Sequence, residues 1–209
     1  DYLYTKGWKI VWLATEGGME NRLIADKPYS KAMMTMRGVR GKGLMGWVLL
    51  PFKLMLAFKQ SMSAILAHKP DVVLGMGGFA AFPGGMMAKL MGKPLVIHEQ
   101  NSVAGLANKT LSYVANKVLA AFPAAFGDKA TLVGNPVRDD ITTLALPETR
   151  YAEKTGKLKL LVVGGSLGAA ALNDVLPKAL ATMPEAQRPE VVHQAGEKHI
   201  ATLEANYQQ

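Results

Sequence analysis

Residues 71–85 read Asp71-Val-Val-Leu-Gly-Met-Gly-Gly-Phe-Ala-Ala-Phe-Pro-Gly-Gly85. A short apolar, β-branched run enters a glycine-rich loop, and Ala80–Met91 then has a helical pattern. The same order recurs at Leu158–Val163, which enters Gly164-Gly-Ser-Leu-Gly-Ala169 ahead of a helix predicted to reach Met183. A strand that feeds a helix through a glycine loop is half of a βαβ unit. Working outward, strands are predicted at Lys9–Ala14, Ala32–Met36, Pro94–His98, Lys117–Ala121, Thr131–Val133 and Glu190–Gln194. Helices are predicted at Met19–Ala25, Trp47–His68 and Gly105–Ala115. Hydrophobicity in the strands is continuous rather than alternating, which predicts parallel sheets covered on both faces. The class is α/β, with Rossmann-like parallel-sheet domains.

The chain has 209 residues, 49% of them apolar and 19% charged, enough to bury a core. It has no cysteine, which excludes a disulfide scaffold, a thiolate metal site and a cysteine nucleophile. The proline- and charge-bearing stretch Leu144–Gly156 reads as a linker. It separates a domain over residues 1–143 from a second over 157–209, which holds only two predicted strands. The first residues read as a helix end and the last as an unfinished helix, so a fragment is expected, its second domain truncated. The net charge is +8, and its location is informative. Residues 27–70 hold eight Lys or Arg and no Asp or Glu, while the rest of the chain is nearly neutral. One basic window, rather than a general coat, argues against nucleic acid as the partner. Eleven of the twelve methionines lie between Met19 and Met91 and overlap that window. No uninterrupted apolar run reaches about 18 residues, so no membrane-spanning helix is expected.

Both glycine loops sit where a strand feeds a helix, the place where amide N–H groups stand unpaired at the positive end of a helix dipole. Glycine lets such a backbone approach an anion, so each loop is either a phosphate cradle or simply a tight turn. No Gly-Lys-Ser/Thr follows either loop, and neither keeps the full dinucleotide-binding glycine spacing, which disfavours a nicotinamide dehydrogenase. Two polar strand exits accompany the loops. His98-Glu-Gln-Asn101 could supply a base, a carboxylate and partners for sugar hydroxyls, although His98 could equally be packed at its strand end. In Gly134-Asn-Pro-Val-Arg138-Asp-Asp140 the arginine could grip a phosphate or pair with Asp139 or Asp140. The four histidines lie at unrelated spacings, so no metal site is expected, and no serine-hydrolase elbow is present.

Several segments occur together and in order: Arg37-Gly-Val-Arg-Gly-Lys-Gly43, Lys69–Gly78, His98–Asn101, Ala104-Gly-Leu-Ala-Asn-Lys109, Gly134–Arg138 and Val162-Val-Gly-Gly-Ser166. Over essentially the whole chain they resemble the MurG family of bacterial N-acetylglucosaminyltransferases. The resemblance implies a GT-B fold, two Rossmann-like domains facing across a cleft. It implies inverting transfer of GlcNAc from UDP-GlcNAc to the muramyl 4-hydroxyl of lipid I, the undecaprenyl-diphosphate-linked muramyl pentapeptide, without a cofactor. By this resemblance Gly77, Gly78, Phe79 and Glu99 belong to the acceptor-diphosphate side, and Asn101, Arg138 and Ser166 contact UDP-GlcNAc. The family's first strand and its Gly-Gly-Thr-Gly-Gly-His loop are expected ahead of Asp1. A favoured base lies in that loop, which leaves Glu99 and His98 as the catalytic candidates within this chain. Phe79 stands where the family often has tyrosine. The basic window predicts that Arg40, Lys42, Trp47, Phe52, Lys53 and Phe58 face an anionic membrane, on the cytoplasmic side of the inner membrane. Alternatives are another UDP-GlcNAc-using enzyme of this fold, such as a 2-epimerase, or a Rossmann module that binds nucleotide without chemistry.

Overall fold

The computed structural model describes residues 2–18, 20–35, 49–152, 155–165 and 168–208. They form two compact units, Asp1–Val137 and Arg138–Gln209. Unit 1 opens with a helical turn, α1 (Tyr2–Thr5), followed by β1 (Val11–Thr15), α2 (Glu20–Leu23) and β2 (Ser30–Met34). After the undescribed residues 36–48 come α3 (Leu50–His68), β3 (Val73–Gly75), α4 (Ala81–Leu90), β4 (Leu95–Glu99), α5 (Leu106–Leu111), β5 (Lys117–Ala120) and β6 (Thr131–Leu132). Helix α3 places Pro51 in its first turn, where the missing N–H costs nothing. It ends at Lys69, which turns left-handed (φ 46°) and returns its N–H to the Ile65 carbonyl at 2.8 Å, ahead of Pro70.

Strands β1 and β2 pair in parallel, and β3-β4-β5-β6 form a four-stranded parallel sheet in that order. Since all four run the same way, the segments after Gly75, Glu99, Ala120 and Leu132 leave from one edge of the sheet. Leu95 and Ile97 of β4 and Leu111 of α5 are fully buried, with Phe82 and Met86 of α4 packed against them. A second cluster joins Met34 of β2 to Ala57 of α3, with Leu13, Leu50, Leu54 and Phe79 around it. Helix α4 comes so close to α5 that a Cβ on Gly85 would lie 2.8 Å from Leu111 Cδ1.

Unit 2 contains α6 (Asp139–Thr142), α7 (Pro147–Tyr151), β7 (Lys159–Val163), α8 (Ala170–Ala181), β8 (Glu190–Gln194) and α9 (Ile200–Tyr207). The stretch read as a linker thus carries α7. Strands β7 and β8 pair in parallel, with Leu161 opposite Val192. Here the expectation of two covered faces fails. Leu160, Val162 and Val191 are half-buried, whereas Leu161 (68%), Val163 (59%) and Val192 (64%) are exposed on the other face. Apolar character without alternation therefore overstated the burial, because in the described residues only one face of this pair is packed. Helix α5 also ends at Leu111, earlier than the predicted Ala115, where Tyr113 and Val114 tighten into turns onto the Thr110 and Leu111 carbonyls.

Close approach of α4 and α5 depends on the absence of a side chain at Gly85. Gly85→Val is expected to push Leu111 out of its place and destabilise unit 1 by about 1–3 kcal/mol. Urea unfolding followed by circular dichroism measures it.

Candidate active site

At the carboxyl edge of the four-stranded sheet the polar residues form a connected rim. Glu99 ends β4 and is 2% exposed. Its Oε1 accepts the Asn101 backbone N–H at 3.0 Å and the Asn101 amide at 2.9 Å. Its Oε2 accepts the Gly105 N–H and the Asn108 amide, both at 3.0 Å. Burial pushes this carboxyl up, but the Asn108 amide, the two backbone N–H groups and the Asn101 amide outweigh it, so its pKa lies below the ordinary 4.5. A carboxylate so fully engaged is built to stay ionised and to hold residues 99–108 in shape. A general base needs a free lone pair and a higher proton affinity.

His98 is 5% exposed, and its Nε2 lies 3.0 Å from the Gly134 carbonyl oxygen. A carbonyl only accepts, so Nε2 carries the hydrogen in this contact. Nδ1 is buried without a partner among the described residues. Of the two readings open for His98, the structure therefore favours the packed one. Its ring ties the end of β4 to the segment after β6. A parallel tie runs from the Asn135 amide to the Gln100 carbonyl at 3.1 Å, and the Gln100 amide donates to the Met76 carbonyl at 3.3 Å.

The glycine loop after β3 lies against this rim. Gly77 and Gly78 both have φ +77°, a conformation that side chains rarely adopt. A Cβ on Gly77 would lie 3.3 Å from the Asn108 amide nitrogen, while Gly78 faces open space. The N–H groups of Gly77, Gly78 and Phe79 meet no acceptor among the described residues. The Phe79 ring, however, packs into the Met34–Ala57 cluster. The ring of Phe79 is thus turned to the core, and its backbone N–H is the part that lies at the loop.

Asn101 is exposed, and with one amide hydrogen engaged by Glu99 its Oδ1 is free for a ligand hydroxyl. Arg138 is exposed at the start of α6, the first residue of unit 2, and forms no ion pair with Asp139, Asp140 or any other described residue. In the second glycine loop Ser166 lies outside the described residues. Gly165 (φ +79°) and Gly168 (φ +75°) flank it, and a Cβ on Gly168 would overlap the Ala195 carbonyl oxygen. That oxygen also accepts the amide of Asn173, itself 3% exposed, at 2.9 Å, so the first turn of α8 is held against the exit of β8.

Of the residues predicted to face a membrane, Arg40, Lys42 and Trp47 lie outside the described residues. Phe52 is 66% exposed and Lys53 half-buried. Phe58 departs from its assignment: its ring meets Phe82 edge-on at 5.9 Å, because its place on α3 falls on the side packed against α4. The outward side of α3 instead carries Phe52, Met55, Leu56, Met62 and Leu66. No described helix is long and apolar enough to cross a membrane.

Asn108 and Asn135 received no role from the sequence, and Gln100 only that of a partner for sugar hydroxyls, although each lies inside a quoted motif. Their signal was there: a side-chain amide beside a glycine loop or a strand-ending carboxylate is suited to tie polar loops together.

A four-stranded parallel sheet whose carboxyl edge presents backbone amides without acceptors among the described residues, beside a rim of side-chain amides, defines an α/β protein of Rossmann-like build. The Glycosyltransferase family 28 N-terminal domain matches residues 1–120, and the Glycosyltransferase family 28 C-terminal domain matches residues 159–209. The chain belongs to glycosyltransferase family 28. It is 55% identical over 209 residues to a Nitrosospira multiformis protein named UDP-N-acetylglucosamine--N-acetylmuramyl-(pentapeptide) pyrophosphoryl-undecaprenol N-acetylglucosamine transferase, covering 99% of this chain and 58% of that one. A Cupriavidus pinatubonensis protein of the same name is 56% identical over 205 residues, covering 98% and 57%. The crystal structure of Acinetobacter baumannii MurG superposes with a TM-score of 0.75 at 37% identity, covering 99% of this chain and 57% of that one. The chain thus spans less than three-fifths of each of these relatives. A putative UDP-N-acetylglucosamine 2-epimerase from Listeria monocytogenes, at 12% identity and TM-score 0.51 over 96% of this chain and 66% of that one, shares the fold alone.

The lowered pKa of Glu99 fixes a sign. The unfolded chain takes up this proton near pH 4.5 and the folded chain only at lower pH. The stabilisation is therefore full above that value and is lost as pH falls through the folded pKa. Glu99→Gln is expected to destabilise unit 1 by about 1–3 kcal/mol at neutral pH and to flatten the decline of stability below pH 4.5. Denaturant titrations of both proteins from neutral to acidic pH measure it.

Proposed function

We propose that the protein carrying this chain is an inverting glycosyltransferase that moves GlcNAc from UDP-GlcNAc to the muramyl 4-hydroxyl of lipid I, forming lipid II for peptidoglycan. The observation that carries this reading is the 55% identity over 209 residues to the Nitrosospira transferase. The geometry supports it. Free N–H groups at Gly77, Gly78 and Phe79 suit the acceptor's diphosphate, which needs donors and no intervening Cβ. The exposed Asn101 amide suits sugar hydroxyls, and the unpaired Arg138 guanidinium suits the nucleotide diphosphate. Ser166 remains a proposed nucleotide-sugar contact.

In such a transfer the 4-hydroxyl oxygen attacks the anomeric carbon from the face opposite UDP. The new C–O bond forms as the bond to the diphosphate breaks, UDP leaves with the electron pair, and a base accepts the hydroxyl proton. Glu99 shapes the rim rather than serving as that base, since its oxygens are filled by four donors. Incubation of the intact gene product with labelled UDP-GlcNAc and a lipid I analogue tests the reading. It expects label in the lipid product and stoichiometric UDP, and release of 2-acetamido sugar without acceptor would overturn it.

The protein acts at the inner face of the cytoplasmic membrane in this proposal. The support is the apolar outward side of α3, with Phe52, Met55, Leu56, Met62 and Leu66, beside a window of eight basic and no acidic residues. Each basic residue near an anionic surface contributes about 1 kcal/mol, added to burial of the apolar side chains.

Two measurements check these assignments. Gly77→Val forces a β-branched residue into φ +77° against the Asn108 amide. It is expected to raise the apparent KM for the lipid acceptor about tenfold or more while the Kd for UDP-GlcNAc stays within about threefold. Phe52→Asp with Leu66→Asp is expected to reduce flotation with anionic vesicles, and wild-type protein should bind neutral vesicles more weakly. Equal binding to both vesicle types would remove the electrostatic part.

A further inference from the structure

Three hydrogen bonds cross the rim in series. The Gln100 amide holds the Met76 carbonyl of the first glycine loop at 3.3 Å. The carbonyl of the same Gln100 receives the Asn135 amide at 3.1 Å, and His98, two residues before it, holds the Gly134 carbonyl at 3.0 Å. Gly134 and Asn135 precede Pro136 and the division between the two units at Val137/Arg138. One residue therefore grips the glycine loop with its side chain and the root of the inter-unit connection with its main chain. Gln100 Nε2 also lies 3.7 Å from where a Cβ on Gly77 would stand, so the side chain borders the loop at two of its residues.

We propose that Gln100 and Asn135 are positioning residues that couple the Gly75–Gly78 loop to the Gly134–Arg138 connection. A ligand seated on the loop's amides is thereby felt at the chain segment that carries Arg138 into unit 2. Neither residue touches the reacting atoms. Each is polar where a turn could be made by many residues, and each spends a donor on a main-chain carbonyl of a different loop. Pro136, with its fixed φ, shortens the slack between the tie and Arg138. The ligand side of this inference rests on the transferase reading above; the link between the loops does not.

The intact gene product tests it in two arms. In the first, UDP-GlcNAc is titrated by calorimetry with and without a short-chain lipid I analogue that lacks the muramyl 4-hydroxyl and so cannot accept the sugar, and the ratio of the two Kd values gives the coupling factor. Wild type is expected to show a factor of about five or more. Asn135→Ala and Gln100→Glu should each bring it within about twofold of one, with the Kd for UDP-GlcNAc alone changing less than about threefold. Gln100→Glu removes the donor to Met76 but keeps the carbonyl that holds Asn135, so it cuts one end of the link only. A merely structural role would lower Tm and leave the ratio unchanged, and that result overturns the proposal, as does a wild-type factor near one. The second arm needs no ligand. In protein labelled with 15N-glycine, Asn135→Ala should move the Gly77 and Gly78 amide resonances, and Gln100→Glu should move that of Gly134. If wild type fails to bind UDP-GlcNAc, the transferase reading falls and the link is judged on these resonances alone. Resonances that stay in place overturn it.

Discussion

A carboxylate taken out of water keeps its charge only where hydrogen bonds replace the water it has lost, and Glu99 meets that condition with four donors from three residues. Burying such an ion costs several kcal/mol. Four bonds to a charged acceptor, at about 1.5–3 kcal/mol each, are enough to offset that cost. Everything along the carboxyl edge of the sheet is built on this arrangement. It fixes Asn101 and the turn to Gly105, and it orients Asn108, whose amide then borders Gly77. The same amide also reaches the His98 carbonyl at 3.0 Å. With the carboxylate replaced by an apolar side chain, the Gly105 and Asn108 donors would be left unpaired, which is worse than losing a bond.

A smaller version of this device ends β1. Glu20 accepts the Thr15 N–H at 3.0 Å and the Thr15 hydroxyl at 2.8 Å, and the Asn21 amide returns to the Thr15 carbonyl at 2.7 Å. Burial raises this carboxyl and the hydrogen bonds lower it further, so it too stays ionised below the ordinary range. Strand exits in a parallel sheet leave unpaired backbone groups, and in unit 1 two of them are closed by acidic side chains within a few residues of the strand.

The positions of the strands were readable from apolar runs, each falling within two residues of its observed place, because a buried parallel strand leaves a local signature of β-branched residues. The parallel order followed from strand–helix alternation. The turn at Gly77 and Gly78 was readable as well, since a glycine pair after such a strand marks backbone that other residues rarely adopt. What could not be read was the direction of side chains at the exits. Glu99 looked like chemistry from its polarity, yet its four partners come from as far as Asn108, and no spacing rule points a carboxylate at an amide nine residues away. Phe79 and Phe58 looked like ligand and membrane contacts; their partners, Met34 and Phe82, are brought near by tertiary packing alone. Exposure of Leu161 and Val192 was hidden for the opposite reason, because composition reports that a residue is apolar and not whether anything covers it.

Leu161, Val163 and Val192 form an apolar stripe that no described residue covers, and such a stripe has a consequence for self-association. The Lys159–Glu190 pair, 3.6 Å apart, sits at its head and supplies the only charge among those facing positions. Sulfate or phosphate buffers, which strengthen burial of apolar surface, would drive the stripes of neighbouring molecules together. High ionic strength would at the same time screen the +8 charge that keeps the molecules apart. For these 209 residues, ammonium sulfate is therefore expected to bring these faces of β7 and β8 together more readily than a dilute chloride buffer.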